Sequence, residues 1–167
     1  VDAVSGTRAV VLDTRKTVPG LRLLGKWAVR LGGGQNHRTG LYDMALIKDN
    51  HIAAVGSLSE AVRRVRSLDT RGRPIEVEVT TLEMLAEALA LDPPVDRIML
   101  DNMDLDTMTA AVRLAEGRVP LEASGGVNLD TVAAIARTGV DYISVGALTH
   151  SVVALDISLD VEGFKVE

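Results

Sequence analysis

An α/β fold with parallel strands is what this sequence predicts, and three observations carry it. Six short apolar runs recur along the chain, amphipathic stretches with helical spacing lie between them, and nearly every run ends on polar residues. Strands alternating with helices of this length imply parallel pairing through right-handed crossovers, either in a doubly wound sheet or in a barrel. No GxGxxG follows the first run, which removes the best signal of a dinucleotide fold, and six units in about 150 residues leave little spare chain. A six-stranded β/α barrel is favoured, although barrels of this kind usually have eight strands.

The elements follow in order. Residues 9–13 (AVVLD) read as a strand covered on both faces, because branched side chains suit a pleated surface and the run does not alternate. Pro19 fits the first turn of a helix whose apolar face is Leu21, Leu24, Ala28 and Leu31, stopped by Gly32-Gly33-Gly34. A second strand covers residues 44–50. Ser57 and Glu60 form a capping box for a helix on Leu58, Ala61, Val62, Val65 and Leu68. Residues 75–79 (IEVEV) make the third strand, and Thr80 with Glu83 caps a helix on Leu82, Leu85, Ala86 and Leu89. Strands at 97–102, 120–125 and 142–147 complete the set, with Asp106 and Asn128 as caps of the helices between them.

Composition narrows the partners. With 167 residues, 47% hydrophobic and 25% charged, the chain can form one cored domain, and disorder is not expected. The net charge of −5 argues against a general nucleic-acid binder. Cations nevertheless collect at one end: residues 1–51 hold eight Lys and Arg against four Asp and Glu, which suggests an anionic ligand. The sequence has no cysteine, hence no disulfide or thiol chemistry, and no apolar run of membrane-spanning length, so a cytoplasmic protein without membrane partners is expected. The opening VDAVSG reads as the tail of a helix belonging to a longer protein.

In a β/α barrel, chemistry sits where the strands end. The first strand ends in Arg15 and Lys16, the second carries Lys48, the third Glu76 and Glu78, and the fourth Asp101. The last two end in Ser124-Gly125-Gly126 and in Gly146-Ala147 followed by His150. Lys48 and Glu78 have apolar neighbours, a setting in which charges are seldom buried without partners. Glu76 falls on the same side of its strand as Glu78, and the sequence does not choose between them. A Ser-Gly-Gly before a helix is commonly a turn; it can also cradle a phosphate on backbone amides, helped by the helix dipole. Arg15, Lys16, Arg38 and Lys48 stand opposite, and His37 is either a loop residue or a donor to an anion. The ligand therefore has a phosphate end and a separate acidic end, with Glu78 and Asp101 between. Such carboxylates can hold sugar hydroxyls, organise Mg²⁺ on phosphates or stabilise a developing cation; no spacing suggests a metal cage made by protein side chains alone.

Taken in order, LDTRKTVPGLR (12–22), GGGQNHRTGLYD (32–43), LIKDNH (46–51), EVEV (76–79), LDN (100–102), SGG (124–126) and GVDYISVGALTHS (139–151) resemble the quinolinate phosphoribosyltransferase family. The resemblance implies an open, six-stranded, TIM-like α/β barrel on residues 1–153, with a tail, 154–167, returning toward an absent N-terminal α/β domain. It implies a decarboxylating transfer from 5-phosphoribosyl-1-pyrophosphate to quinolinate, giving nicotinate mononucleotide, pyrophosphate and CO₂ in NAD synthesis. Thr14, Arg15, His37, Arg38 and Lys48 match the quinolinate side. Lys16, Glu78, Asp101, Ser124, Gly125, Gly126, Gly146, Ala147 and His150 match the donor side. Lys16, Lys48, Glu78 and Asp101 are the expected catalytic set, with Mg²⁺ carried by the donor near Glu78 and Asp101. A homodimer or higher homo-oligomer is implied, its sites completed by the neighbouring subunit, so little activity is expected of these residues alone. The rivals are a molybdenum-transport-operon relative of the same fold, which LIKDNH disfavours, and a non-catalytic phosphate-binding barrel, which has no use for Lys48, Glu78 and Asp101 converging on one face.

Overall fold

Six parallel strands form one sheet in the computed structural model, which describes residues 1–161 and 163. They are β1 (Val10–Leu12), β2 (Ala45–Ile47), β3 (Ile75–Val79), β4 (Arg97–Asp101), β5 (Leu121–Ser124) and β6 (Tyr142–Ser144), each inside the run that predicts it. The order is β1-β6-β5-β4-β3-β2, so the curled sheet stays open between β1 and β2. The segment after Gly34 lines that opening: the Gln35 amide donates to the Val11 carbonyl at 2.9 Å, and Asp13 N–H returns to the Gln35 carbonyl at 3.1 Å.

The helices are α1 (Arg22–Leu31), α2 (Asp49–Val55), α3 (Leu58–Leu68), α4 (Leu82–Leu89), α5 (Leu105–Ala115), α6 (Val132–Arg137) and α7 (Ala147–His150), after a short 3₁₀ helix at Asp2–Val4. Alternation along the strands separates two environments. Val77, Val79, Ile98, Leu100, Leu121, Ala123 and Ile143 pack with Leu58, Val62, Leu85, Ala111 and Ile135 of the helices into one core. Burying each large side chain there contributes roughly 1.5–3 kcal/mol. The alternate positions, Glu76, Glu78, Glu122 and Ser144, are also buried, which makes the inner side of the sheet polar.

Local signals hold with shifts. Ser57 caps α3 by accepting from Glu60 N–H, but α4 is capped by Thr81, not Thr80, and α5 by Asp104, not Asp106. Each true cap places its oxygen three residues before the amide it meets, whereas Asp106 lies inside the first turn. Asn128 caps the turn that precedes α6, accepting from the Asp130 and Thr131 amides. Pro19 and Gly20 form a turn outside α1, which begins at Arg22. The second strand stops at Ile47 because the Lys48 amide donates to the His51 ring and starts α2.

The largest departure is α1. Its apolar residues Leu23, Leu24, Trp27 and Leu31 are 59–75% exposed, and its one buried side chain is Lys26. The expected inward face of Leu21, Leu24, Ala28 and Leu31 is thus turned outward, because the ammonium of Lys26 reaches the buried Asp13 carboxylate at 2.5 Å. Residues 152–161 and 163 form no helix or strand and are exposed; residues 162 and 164–167 of the expected tail lie outside the described residues.

Candidate active site

The strand ends build a cleft from two adjoining pockets that share Thr14, Lys16, Ser124 and Ser144. One pocket, of about 200 Å³, is lined by Arg15, His37, Arg38, Lys48 and Met99 besides the shared residues. The other, of about 440 Å³, is lined by Asp101, Asn102, Gly125, Gly126, Gly146 and His150, among others. Lys16 stands where they meet.

The cationic pocket is held by a buried network. The Asp13 carboxylate accepts from Lys26, from the Asn36 side-chain amide at 2.6 Å and from the His37 amide at 2.8 Å, fixing the segment that carries His37 and Arg38 against β1. Arg22 donates to the carbonyls of Arg15 and Thr39, tying together the two loops that bear the pocket's arginines. Asp43 closes the turn by accepting from the Thr39 and Gly40 amides, which hold its carboxyl low against the upward pull of burial. Burial and the charge of Arg15 both pull the Arg38 guanidinium below its usual value. The buried Nε of Arg15 meets no acceptor among the described residues. Two crowded guanidiniums and an unanswered donor favour an anion.

Beneath this pocket His37 faces two carboxylates. Its Nε2 lies 2.9 Å from Glu76 and 3.4 Å from Glu122. Glu122 is held further by Arg97 at 2.7 Å and by the Ser144 hydroxyl, and the Arg97 guanidinium stacks 4.0 Å from the centre of the Tyr142 ring. Burial lowers the imidazole pKa, but the close approach of Glu122 and Glu76 outweighs it and pushes it up to about 9. The Arg38 amide donates to Nδ1 at 2.7 Å, a bond that only the neutral ring accepts, so it opposes the two carboxylates. His37, Glu76 and Glu122 also bring three potential metal ligands together, yet Glu122 is already committed to Arg97 and Ser144. The cluster is an ion-pair network.

Lys48 pairs with Glu78 at the mouth of β3, so Glu78 joins the site through that lysine while Glu76 lies deeper and fully buried. On the other side Gly125 has a φ of 97°, and a Cβ there would overlap the Asn102 side chain, so only glycine fits. Gly126 is left-handed too, at 61°, and both glycines line the pocket, leaving their backbone uncovered by side chains there. The Ser-Gly-Gly does not abut α6, which starts at Val132; the support expected from a helix dipole is therefore remote from it. The Thr14 and Thr149 hydroxyls bond at 3.0 Å, joining the segment after β1 to α7. All the expected site residues line this cleft except Glu78, which reaches it through Lys48. Sequence reasoning missed Asp13, Lys26, Arg22, Arg97, Glu122 and Ser144. Glu122, a charge flanked by Leu121 and Ala123, carries the same burial signal that singles out Lys48 and Glu78.

An open parallel α/β barrel with an anion-accepting cleft at its strand ends is the class of domain these features define. The chain belongs to the family described as quinolinate phosphoribosyl transferase, C-terminal domain, whose family model matches residues 1–160. It is 56% identical over 164 residues to the nicotinate-nucleotide pyrophosphorylase [carboxylating] of Mycobacterium leprae, covering 96% of this chain and 57% of that protein. A probable enzyme of the same name from Bacillus subtilis is 53% identical, with 90% of this chain and 52% of that protein covered. The solved nicotinate-nucleotide pyrophosphorylase of Francisella tularensis superposes with a TM-score of 0.85 at 48% identity, covering 90% of this chain and 52% of that one. The chain spans about half the length of the relatives it matches.

Proposed function

We propose that this domain, within its complete protein, transfers phosphoribosyl from 5-phosphoribosyl-1-pyrophosphate to quinolinate with loss of CO₂. The observation that carries the reading is the cleft's division at Lys16: a pocket of crowded guanidiniums with the unanswered Arg15 donor on one side, and left-handed glycines with Asp101 and His150 on the other. The first suits a dicarboxylate and the second a phosphate, and both relatives named above carry a matching activity in their names.

In this mechanism Arg15, Arg38 and Lys48 bind the two carboxylates of the acceptor and aim its ring nitrogen across Lys16 at the ribose carbon. Holding the two reactants in one orientation removes much of the entropic barrier. Pyrophosphate leaves, the nitrogen takes the vacated bond, and Glu78 and Asp101 stabilise the transient positive charge at the ribose. The pyridinium then accepts the electron pair of the departing carboxylate, CO₂ leaves, and a proton fills the ring position. No side chain is needed as nucleophile.

Asp101 accepts one hydrogen bond, from its neighbour Asn102, and lines the phosphate pocket, a donor set that fits Mg²⁺ arriving on the donor. Glu78 and Asp101 would hold the ion, which supplies charge neutralisation on the pyrophosphate. Homo-oligomerisation completes the reading: the exposed apolar face of α1 is where a neighbouring subunit or the rest of the protein would pack. A cytoplasmic setting suits such phosphorylated substrates. Among the described residues no helix is long and apolar enough to cross a membrane.

Calorimetric titration of the complete protein with quinolinate and with nicotinate tests the proposal. Quinolinate alone should bind tightly, because nicotinate lacks the second carboxylate that the paired arginines require. Equal binding of the two, or none, overturns it.

A further inference from the structure

Glu76 is the least explained charge in the molecule. It is fully buried, sits directly below the cationic pocket, and among the described residues neither of its oxygens receives an aligned hydrogen bond. Neither expected role fits it, since Glu78 takes the position facing the cleft mouth and pairs with Lys48. An isolated buried carboxylate is costly and persists only where a nearby charge answers it. Among the described residues the one group in ion-pair contact with it is Nε2 of His37, at 2.9 Å, with Arg97 acting from farther off.

The surroundings of His37 show why a counter-charge is needed. Arg15 and Arg38 crowd it in the pocket, and Lys26 donates to its carbonyl from α1 at 3.0 Å. Buried as it is, the ring left to itself would shed its second proton. Asp13 is spent on Lys26, Asn36 and the His37 amide, and Glu122, which also faces Nε2 at 3.4 Å, is shared with Arg97 and Ser144. Among the described residues Glu76 pairs with no group but His37. Because only carboxylates face Nε2, that nitrogen keeps its proton in both charge states; Nδ1 accepts from the Arg38 amide at 2.7 Å, so taking up the second proton means giving up that bond, a cost the carboxylates below must offset.

We propose that Glu76 is a positioning residue for the acceptor pocket: from beneath, its buried carboxylate fixes the His37 ring through Nε2 and holds it as a cation among the arginines. The pocket then meets the acceptor's carboxylates with three fixed positive groups, Arg15, Arg38 and His37. This rests on the acceptor assignment above and divides the two carboxylates of β3, Glu78 serving the cleft mouth and Glu76 its floor.

The test is Glu76→Gln in the complete protein, which keeps shape and removes charge. The expected result is a rise of about tenfold in the quinolinate dissociation constant above neutral pH, with that of the phosphoribosyl donor unchanged. The pH at which quinolinate affinity falls away should move down by about one unit or more, toward the ordinary imidazole range. Proton NMR of His37 in the ligand-free protein gives a readout independent of substrate: its titration should lie well above the ordinary value in the wild type and drop in Glu76→Gln. A His37 midpoint that does not move overturns the positioning role, as does an equal loss of affinity for both ligands. If the wild type fails to bind quinolinate while the His37 shift is observed, the functional reading fails and the Glu76–His37 link stands. Should Glu76→Gln not fold, a wild-type His37 titrating at the ordinary value overturns the link by itself.

Discussion

Asp13 and Lys26 bind the segment carrying His37 and Arg38 to the barrel wall. Their side chains are 0% and 5% exposed, and Asp13 also receives two hydrogen bonds from the loop. Removing one member of a buried pair strands the other, at a cost of about 3–5 kcal/mol. Lys26→Met should therefore lower the urea midpoint of unfolding by the equivalent of about 3 kcal/mol, near the low end because Asp13 keeps its other donors. Adding Asp13→Asn should restore part of that loss; a double variant no more stable than Lys26→Met would show that the two charges do not depend on each other. The reason Lys26 escapes a reading of the sequence is plain at this scale. A lysine in an amphipathic helix is normally solvated, and nothing in the spacing reveals that Asp13, thirteen residues earlier, is buried beneath it. Arg15, Lys16 and Lys48 are legible because they close strands, where the fold itself gives position a meaning.

At the scale of elements, the strands were legible to within three residues at either end, since apolar runs between turn signals report burial directly. Helix faces were less so. For α3, the apolar stripe and the buried residues Leu58, Ala61 and Val62 coincide. For α1 they oppose each other, because periodicity reveals that a helix has an apolar face and not which body that face will meet. α2 was missed, its first two residues being read as the end of the second strand, because seven residues are too few for a helical period to declare itself. The exposed stripe of α1 should matter only in the assembled protein. Leu24→Ser with Trp27→Ser should leave thermal unfolding of the 167-residue domain within about 0.5 kcal/mol of its starting value. In the complete protein the same pair should lower the mass measured by sedimentation; an unchanged mass would remove α1 from any interface.

For the whole molecule, the polar interior makes stability depend on pH in a defined direction. His37 has a folded pKa of about 9 against 6.5 for a free imidazole, so the stabilisation from its charge is complete below pH 6.5 and is lost as pH rises through about 9. The Glu76 carboxyl, raised by burial and held back in part by His37, acts with the same sign. Chemical denaturation should show a lower unfolding midpoint above pH 9 than below pH 6.5, and His37→Asn should flatten that slope. An unaltered slope in the variant would place the titrating group elsewhere. The open edge between β1 and β2 bears on the same architecture in another way. A closed ring would lock every stave to two neighbours, whereas here the segment bearing His37 and Arg38 hangs on β1 by backbone contacts through Gln35 and by the Asp13 clasp. Under the proposed function, the two ends of the cleft thus differ mechanically. The phosphate end rests on the tips of mutually paired staves, β4 to β6, whereas the acceptor end adds to Arg15 and Lys48 a segment moored at the seam, which can shift there while those staves stay paired.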